Sequence, residues 1–231
     1  MEFQIKEIME SVWAIEQQGV RAFLFVGEDH AILIDSCFGG DLRGVCQRLT
    51  DRPITLVTTH GDPDHVGCDD QFGWQYLHPA EFDYYLHRVN KKPDALPMWE
   101  GGVFKVGKYQ LEVMLFPGHT PGGIILLERT HRFIISGDTV QDGPVFMTGN
   151  GRNLPAFRCS LERLDQMRKD GVFDTVYGSH GTVVLPADVI CDQIALADQL
   201  LAGTAIPVGP AADWLPDTVK AYRCGRAQMY M

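Results

Sequence analysis

No two cysteines of this chain form a Cys-x-x-Cys pair; the six, at positions 37, 46, 68, 159, 191 and 224, are widely scattered. That pattern suits reduced, mostly buried thiols in a cytosolic protein better than a disulfide framework. Basic clusters are also missing: none exceeds Lys91-Lys92, and the formal net charge is −10. A nucleic-acid partner normally demands a basic stripe, so none is expected, and an anionic membrane surface gains no support either. No apolar run approaches the ~20 residues of a membrane span. The first residues, Met1 to Glu7, lack a basic region followed by an apolar core, so no signal peptide is visible and a cytoplasmic location is expected. Linkers and low-complexity segments are absent too. A single domain over residues 1–231 is the economical reading.

What is present is a soluble, core-forming composition, with 45% hydrophobic and 22% charged residues. Residues 11–15, 20–26 and 31–35 read as strands. Leu42, Val45, Cys46 and Leu49 then repeat at helical spacing, and Pro53 closes that segment. A strand at 54–57, a short helix reaching Phe72 and a strand at 74–77 follow. Pro79 opens a helix with Phe82, Tyr85, Leu86 and Val89 on one face. Residues 90–102 read as a long loop carrying Met98 and Trp99, the kind of segment that forms lids. Strands resume at 103–106 and 108–116, and a hairpin joins 123–127 to 132–136. A helix from Leu154 stops at Gly171; a strand at 173–177, a helix over 186–202 and a strand over 219–230 complete the chain. Strands then helix, repeated, predict two similar halves with helices packed outside two sheets.

The chemistry concentrates in Thr59-His60-Gly61-Asp62-Pro63-Asp64-His65, a ligand-rich turn directly after the apolar run 54–57. Three later stretches share its grammar, an apolar strand end followed by a ligand-type residue among small ones. They are Pro117-Gly118-His119-Thr120, Ser136-Gly137-Asp138-Thr139 and Gly178-Ser179-His180-Gly181. Flanking glycines permit unusual backbone angles and close approach. The dispersed histidines and Asp138 fit metal ligation better than a general-base relay.

With these residues in view, the chain resembles the metallo-β-lactamase superfamily along nearly its whole length. Asp35 matches the strand-end aspartate, residues 59–65 the His-x-His-x-Asp-His motif, and His119, Asp138 and His180 the later motifs. The resemblance implies an α/β fold, a four-layer αββα sandwich with a two-metal site at one sheet edge. It further implies that His60, residue 62 and His119 hold one metal, that Asp64, His65 and His180 hold the other, and that Asp138 bridges both. Asp35 would steady the motif loop by hydrogen bonds without touching metal, or simply cap a turn. Asp64 and Asp138 would serve the reaction directly.

One letter departs from the family pattern, because Asp62 stands where histidine is usual. Asp62-Pro63 is a good N-cap and N1 pair for a helix carrying His65. Alternatively, Asp62 is itself a ligand; a carboxylate binds zinc or iron nearly as readily as imidazole. The intact His60 and His119 favour the ligand reading. With three ionised aspartates the ligand set carries −3, balanced by two divalent ions and a bridging hydroxide, whereas histidine at 62 would leave +1. The expected cofactors are two divalent metal ions, zinc first, with iron or a mixed pair as the other choice.

The expected function is hydrolysis of a small ester, thioester or lactone by a hydroxide bridging the two metals. The rival is a di-iron redox enzyme reducing oxygen or nitric oxide with a separate electron donor, since flavodiiron proteins carry an acidic residue at this position. Tyr84, Tyr85, His87, Arg88, Met98, Trp99, Arg152, Asn153 and Arg158 are candidate substrate contacts, each with a packing or surface role as its alternative. The partner in either case is a small molecule.

Overall fold

Strands form where β-branched and aromatic residues concentrate, and in the computed structural model, which describes residues 2–231, this happens first near the amino terminus. The backbone divides into two compact units with the boundary between Leu115 and Phe116. The first holds β1 (Gln4–Met9), β2 (Val12–Gln17), β3 (Val20–Val26), β4 (Ala31–Ile34), β5 (Ile54–Val57), β6 (Gln75–Leu77) and β7 (Ala95–Pro97). They make one seven-stranded sheet in sequence order. Neighbours are antiparallel from β1 to β4 and parallel from β4 to β7. All four residues of β4 are buried, as expected for a strand covered on both faces. On one face Ile15, Ala22, Leu24, Leu33 and Leu56 pack against Leu42, Val45 and Cys46 of α1 (Leu42–Gln47). Each leucine, isoleucine or valine among them contributes about 1.5–3 kcal/mol by leaving water. Asp41 starts α1 by accepting the Gly44 amide at 2.8 Å.

After β5 come α2 (Pro63–Val66), a 3₁₀ turn at Asp69–Phe72 and α3 (Phe82–Val89). The segment 90–102 is not an unstructured loop, because β7 lies within it and pairs parallel with β6. Three residues are too few to show an alternation in sequence. A hairpin of β8 (Val103–Val106) and β9 (Tyr109–Leu115) completes this unit.

In the second unit β10 (Ile124–Glu128) and β11 (Phe133–Ile135) form the expected hairpin. β12 (Pro144–Phe146) and α4 (Leu154–Lys169) follow. β13 (Thr175–Tyr177) runs parallel to β11, and β14 (Val184–Pro186) antiparallel to β13. α5 (Val189–Leu201) starts later than the sequence predicts because β14 takes residues 184–186. The last expected strand is a hairpin: Gly225, at φ +56°, turns β16 (Lys220–Cys224) into β17 (Ala227–Tyr230). With β15 (Gly209–Pro210) and β12 these make a small sheet ordered β12-β17-β16-β15.

All six cysteines are free, and Cys37, Cys46 and Cys68 are buried while Cys159 and Cys191 are exposed. Burial pushes the thiols of Cys37 and Cys46 up to about 12 and that of Cys68 up to about 11. Cys68, though beside the ligand motif, is a core residue. No described helix is long and apolar enough to cross a membrane.

Candidate metal centre

Parallel strands deliver their following residues to a common edge. In the first unit Ile34 of β4 pairs with Val57 of β5, so Asp35 and Thr58-Thr59 leave the sheet side by side. Asp35 does so at φ +63°, a left-handed conformation that aspartate tolerates better than most residues. Its carboxylate accepts the Thr59 amide at 2.7 Å, the Thr59 hydroxyl at 2.8 Å and His65 Nδ1 at 2.8 Å. The Thr59 hydroxyl spends its only proton on Asp35, so it must accept from His60 Nδ1, 3.0 Å away. One carboxylate therefore sets both imidazoles with protonated Nδ1 and a lone pair on Nε2. That is what two metal-ligating histidines require.

The turn is pinned at each end. Gly67 donates to the Cys37 carbonyl at 2.8 Å, and a Cβ on it would lie 2.1 Å from the Phe38 carbonyl oxygen, so only glycine fits. Gly61 donates to Glu81 at 2.8 Å. Glu81 is fully buried, and sequence reasoning passed over it as a lone acid on an apolar helix start. Its one signal was that a charge rarely enters such a face without a partner.

Within this frame His60 Nε2 lies 3.5 Å from Asp62 Oδ2, and His65 Nε2 lies 3.7 Å from Asp64 Oδ2. Asp62 occupies the N-cap position of α2, but its side chain makes no capping hydrogen bond. Capping is therefore not its role. Oδ1 instead accepts the Tyr84 hydroxyl at 2.5 Å and faces Arg88 Nε at 3.5 Å.

The second unit repeats the logic. Ile135 of β11 pairs with Tyr177 of β13, so Asp138 and His180 emerge beyond adjacent parallel ends. Asp138 Oδ1 lies 3.4 Å from His180 Nε2, and its Oδ2 lies 3.6 Å from His119 Nε2. Each carboxylate oxygen thus faces a different imidazole. His119 Nδ1 donates to the Phe146 carbonyl at 3.0 Å, and Arg152 donates to the His119 carbonyl at 2.6 Å.

These four imidazole–carboxylate separations span 3.4 to 3.7 Å. Direct hydrogen bonds at such groups run to about 2.7–2.9 Å. Two ligands that each sit about 2.0–2.2 Å from one tetrahedral ion stand roughly 3.3–3.6 Å apart. Three of the four separations fall in that range and the fourth, 3.7 Å, lies just above it, so spacing and donor chemistry both suit ligands that share a divalent ion.

The remaining candidate contacts have other partners. Tyr85 is buried with its hydroxyl on Asp69. Met98 is buried, and Trp99 is exposed, edge-on to His78. His87 is exposed near Asp83. Asn153 caps α4 through the Ala156 amide, and Arg158 pairs with Asp198 and Glu162.

The metallo-beta-lactamase superfamily model matches residues 16–180. An acyl-coenzyme A thioesterase of Gallus gallus is 29% identical over 157 residues, covering 56% of this chain and 57% of that protein. A hydroxyacylglutathione hydrolase of Haemophilus influenzae is 28% identical over 142 residues, covering 52% of this chain and 66% of its own length. The matched stretch thus spans less than two thirds of either relative. Among solved structures, a metallo-beta-lactamase from Pontibacter korlensis superposes with a TM-score of 0.71 at 18% identity, covering 85% of this chain and 99% of its own.

Proposed function

This chain belongs to the metallo-beta-lactamase superfamily, and from that membership we propose that it is a binuclear metal-dependent hydrolase of small thioesters. In this reading His60, Asp62 and His119 hold one ion, Asp64, His65 and His180 hold the second, and Asp138 serves both. The observation that carries it is the Asp138 carboxylate, which offers one oxygen toward His119 and the other toward His180. A bridging ligand needs that presentation, and a single-metal site would not. The relatives that cleave acyl-coenzyme A and hydroxyacylglutathione favour thioesters over the wider ester class.

Zinc, when bound, polarises the acyl carbonyl and lowers the pKa of water toward neutrality. The protein's own part is orientation and proton handling. Asp35, bonded directly to His65 and reaching His60 through the Thr59 hydroxyl, keeps both motif imidazoles in the ligating tautomer. Asp138 is fixed beyond β11, while Asp64, at 20% exposure, is the more accessible carboxylate. Asp64 accepts the proton released as water adds to the acyl carbon. The carbon–sulfur bond then breaks, giving a carboxylic acid and a thiol that takes up one proton.

The test is to purify the protein without added metal, measure its metals, and assay acyl-coenzyme A and hydroxyacylglutathione thioesters for thiol release. About two zinc per chain and turnover abolished by Asp138→Asn are expected. A zinc-loaded protein inert on both thioesters would sink the substrate assignment. Two irons with a visible charge-transfer band would sink the hydrolase in favour of redox chemistry.

A further inference from the structure

Asp62 is 6% exposed, and a buried carboxylate needs compensation. A histidine ligand at this place would be neutral and would need none. Aspartate brings two difficulties instead, an extra negative charge and a second oxygen free to rotate toward the ion.

The structure meets both from one helix. Tyr84 and Arg88 are four residues apart on α3, so they share a face. Tyr84 is buried, and its hydroxyl donates to Asp62 Oδ1 at 2.5 Å. Arg88 Nε stands 3.5 Å from the same oxygen. Oδ2 is the oxygen directed toward His60 Nε2, at 3.5 Å. Both donors therefore engage the oxygen that faces away from His60, leaving the carboxylate one-handed toward an ion. The guanidinium returns the positive charge that aspartate removes. The same helix start supplies Glu81, which holds Gly61, the residue just before Asp62. The site's unusual ligand and its backbone are thus braced together.

We propose that Tyr84 and Arg88 are positioning residues that convert Asp62 into the charge and denticity equivalent of a neutral histidine ligand, and so keep this site suited to zinc. This rests on the reading of Asp62 as a metal ligand. It also reassigns Tyr84 and Arg88 from substrate contacts to supports of the metal loop.

Zinc titration against a chromophoric chelator provides the test, on the intact chain and on Tyr84→Phe, Arg88→Met, Asp62→His and Asp62→His/Arg88→Met. Tyr84→Phe and Arg88→Met are expected to weaken one of two zinc sites by about ten- to hundredfold and leave the other unchanged. In the Asp62→His background, Arg88→Met should cost nothing, because the charge it offsets is gone. Arg88→Lys should restore part of the loss, keeping the charge without the planar fork. An equal loss from Arg88→Met in both backgrounds would overturn the proposal, since it would mean that Arg88 only stabilises α3. No loss in the native background would overturn it as well. If Asp62→Ala leaves both zinc sites intact, the ligand reading itself fails. If zinc behaves as expected and thioesters are not cleaved, only the substrate assignment falls.

Discussion

At the scale of single residues, Asp35 governs more than its neighbours do. It leaves β4 in a left-handed conformation and ties Thr59 and His65 directly, and His60 through the Thr59 hydroxyl. Asparagine tolerates the same backbone, so Asp35→Asn should fold. Its amide nitrogen would oppose a donor at Thr59 or at His65, forcing a ring flip or the wrong tautomer. Zinc affinity is expected to fall about ten- to hundredfold, with stability reduced by roughly 1–3 kcal/mol. Zinc titration and thermal melting read the two effects separately, and unchanged affinity would refute the assignment. Asp35 was legible from the sequence as a loop anchor, but with a turn cap as its alternative. The choice depends on which donors face its oxygens, and no pattern along the chain carries that. For the same reason the cap reading of Asp62 could be judged only from the fold, in which its side chain makes no capping bond.

At the scale of elements, strands with β-branched or aromatic runs and helices with a long apolar face were legible. β7, β12 and β14, three residues each, were not. Such strands are held by their neighbours' ladders, and their residues carry no period of their own. The approach of α4 to the His119 turn was equally invisible, although Gly118 marked it. Gly118 sits at φ +139°, and a Cβ there would lie 2.3 Å from the Phe157 backbone. Gly149, at φ +95° with open space around it, is the natural control. Gly149→Ala should cost only backbone strain, about 1–2 kcal/mol. Gly118→Ala must also displace helix from turn and is expected to cost on the order of 3 kcal/mol or more, with loss of bound metal. Comparable melting temperatures for the two variants would show that α4 does not set the turn.

For the whole molecule, the motif order across residues 16–180 was the most legible feature, because family membership is written in sequence. The support behind the motifs was not: Glu81, Tyr84 and Arg88 reach the loop across 20 to 26 residues, and only folding makes them neighbours. Stability should also register the metals globally. His60, His65, His119 and Asp138 are buried, so on the proposed reading each would lose a compensating charge in a desolvated place when its ion is removed. At about a thousandfold excess of ion over its dissociation constant, binding adds about 4 kcal/mol. For a chain of this length that corresponds to a melting-temperature change on the order of 10 °C. Chelator should lower the melting temperature by that amount and zinc should restore it; a melt indifferent to chelator would argue against tightly held ions.

The carbonyl that orients His119 belongs to Phe146, at the end of β12. β12 in turn runs beside β17, with Phe146 opposite Tyr230 and the Met147 amide bonded to the Tyr230 carbonyl at 2.9 Å. A fragment trimmed to residues 16–180, the span of the family match, would therefore keep every proposed ligand and discard the strand beside which one ligand's acceptor is built. The functional unit and the recognisable unit have different edges. Trimming, tagging or fusing this protein near residues 227–231 would therefore reach His119, a proposed metal ligand, through β17 and β12.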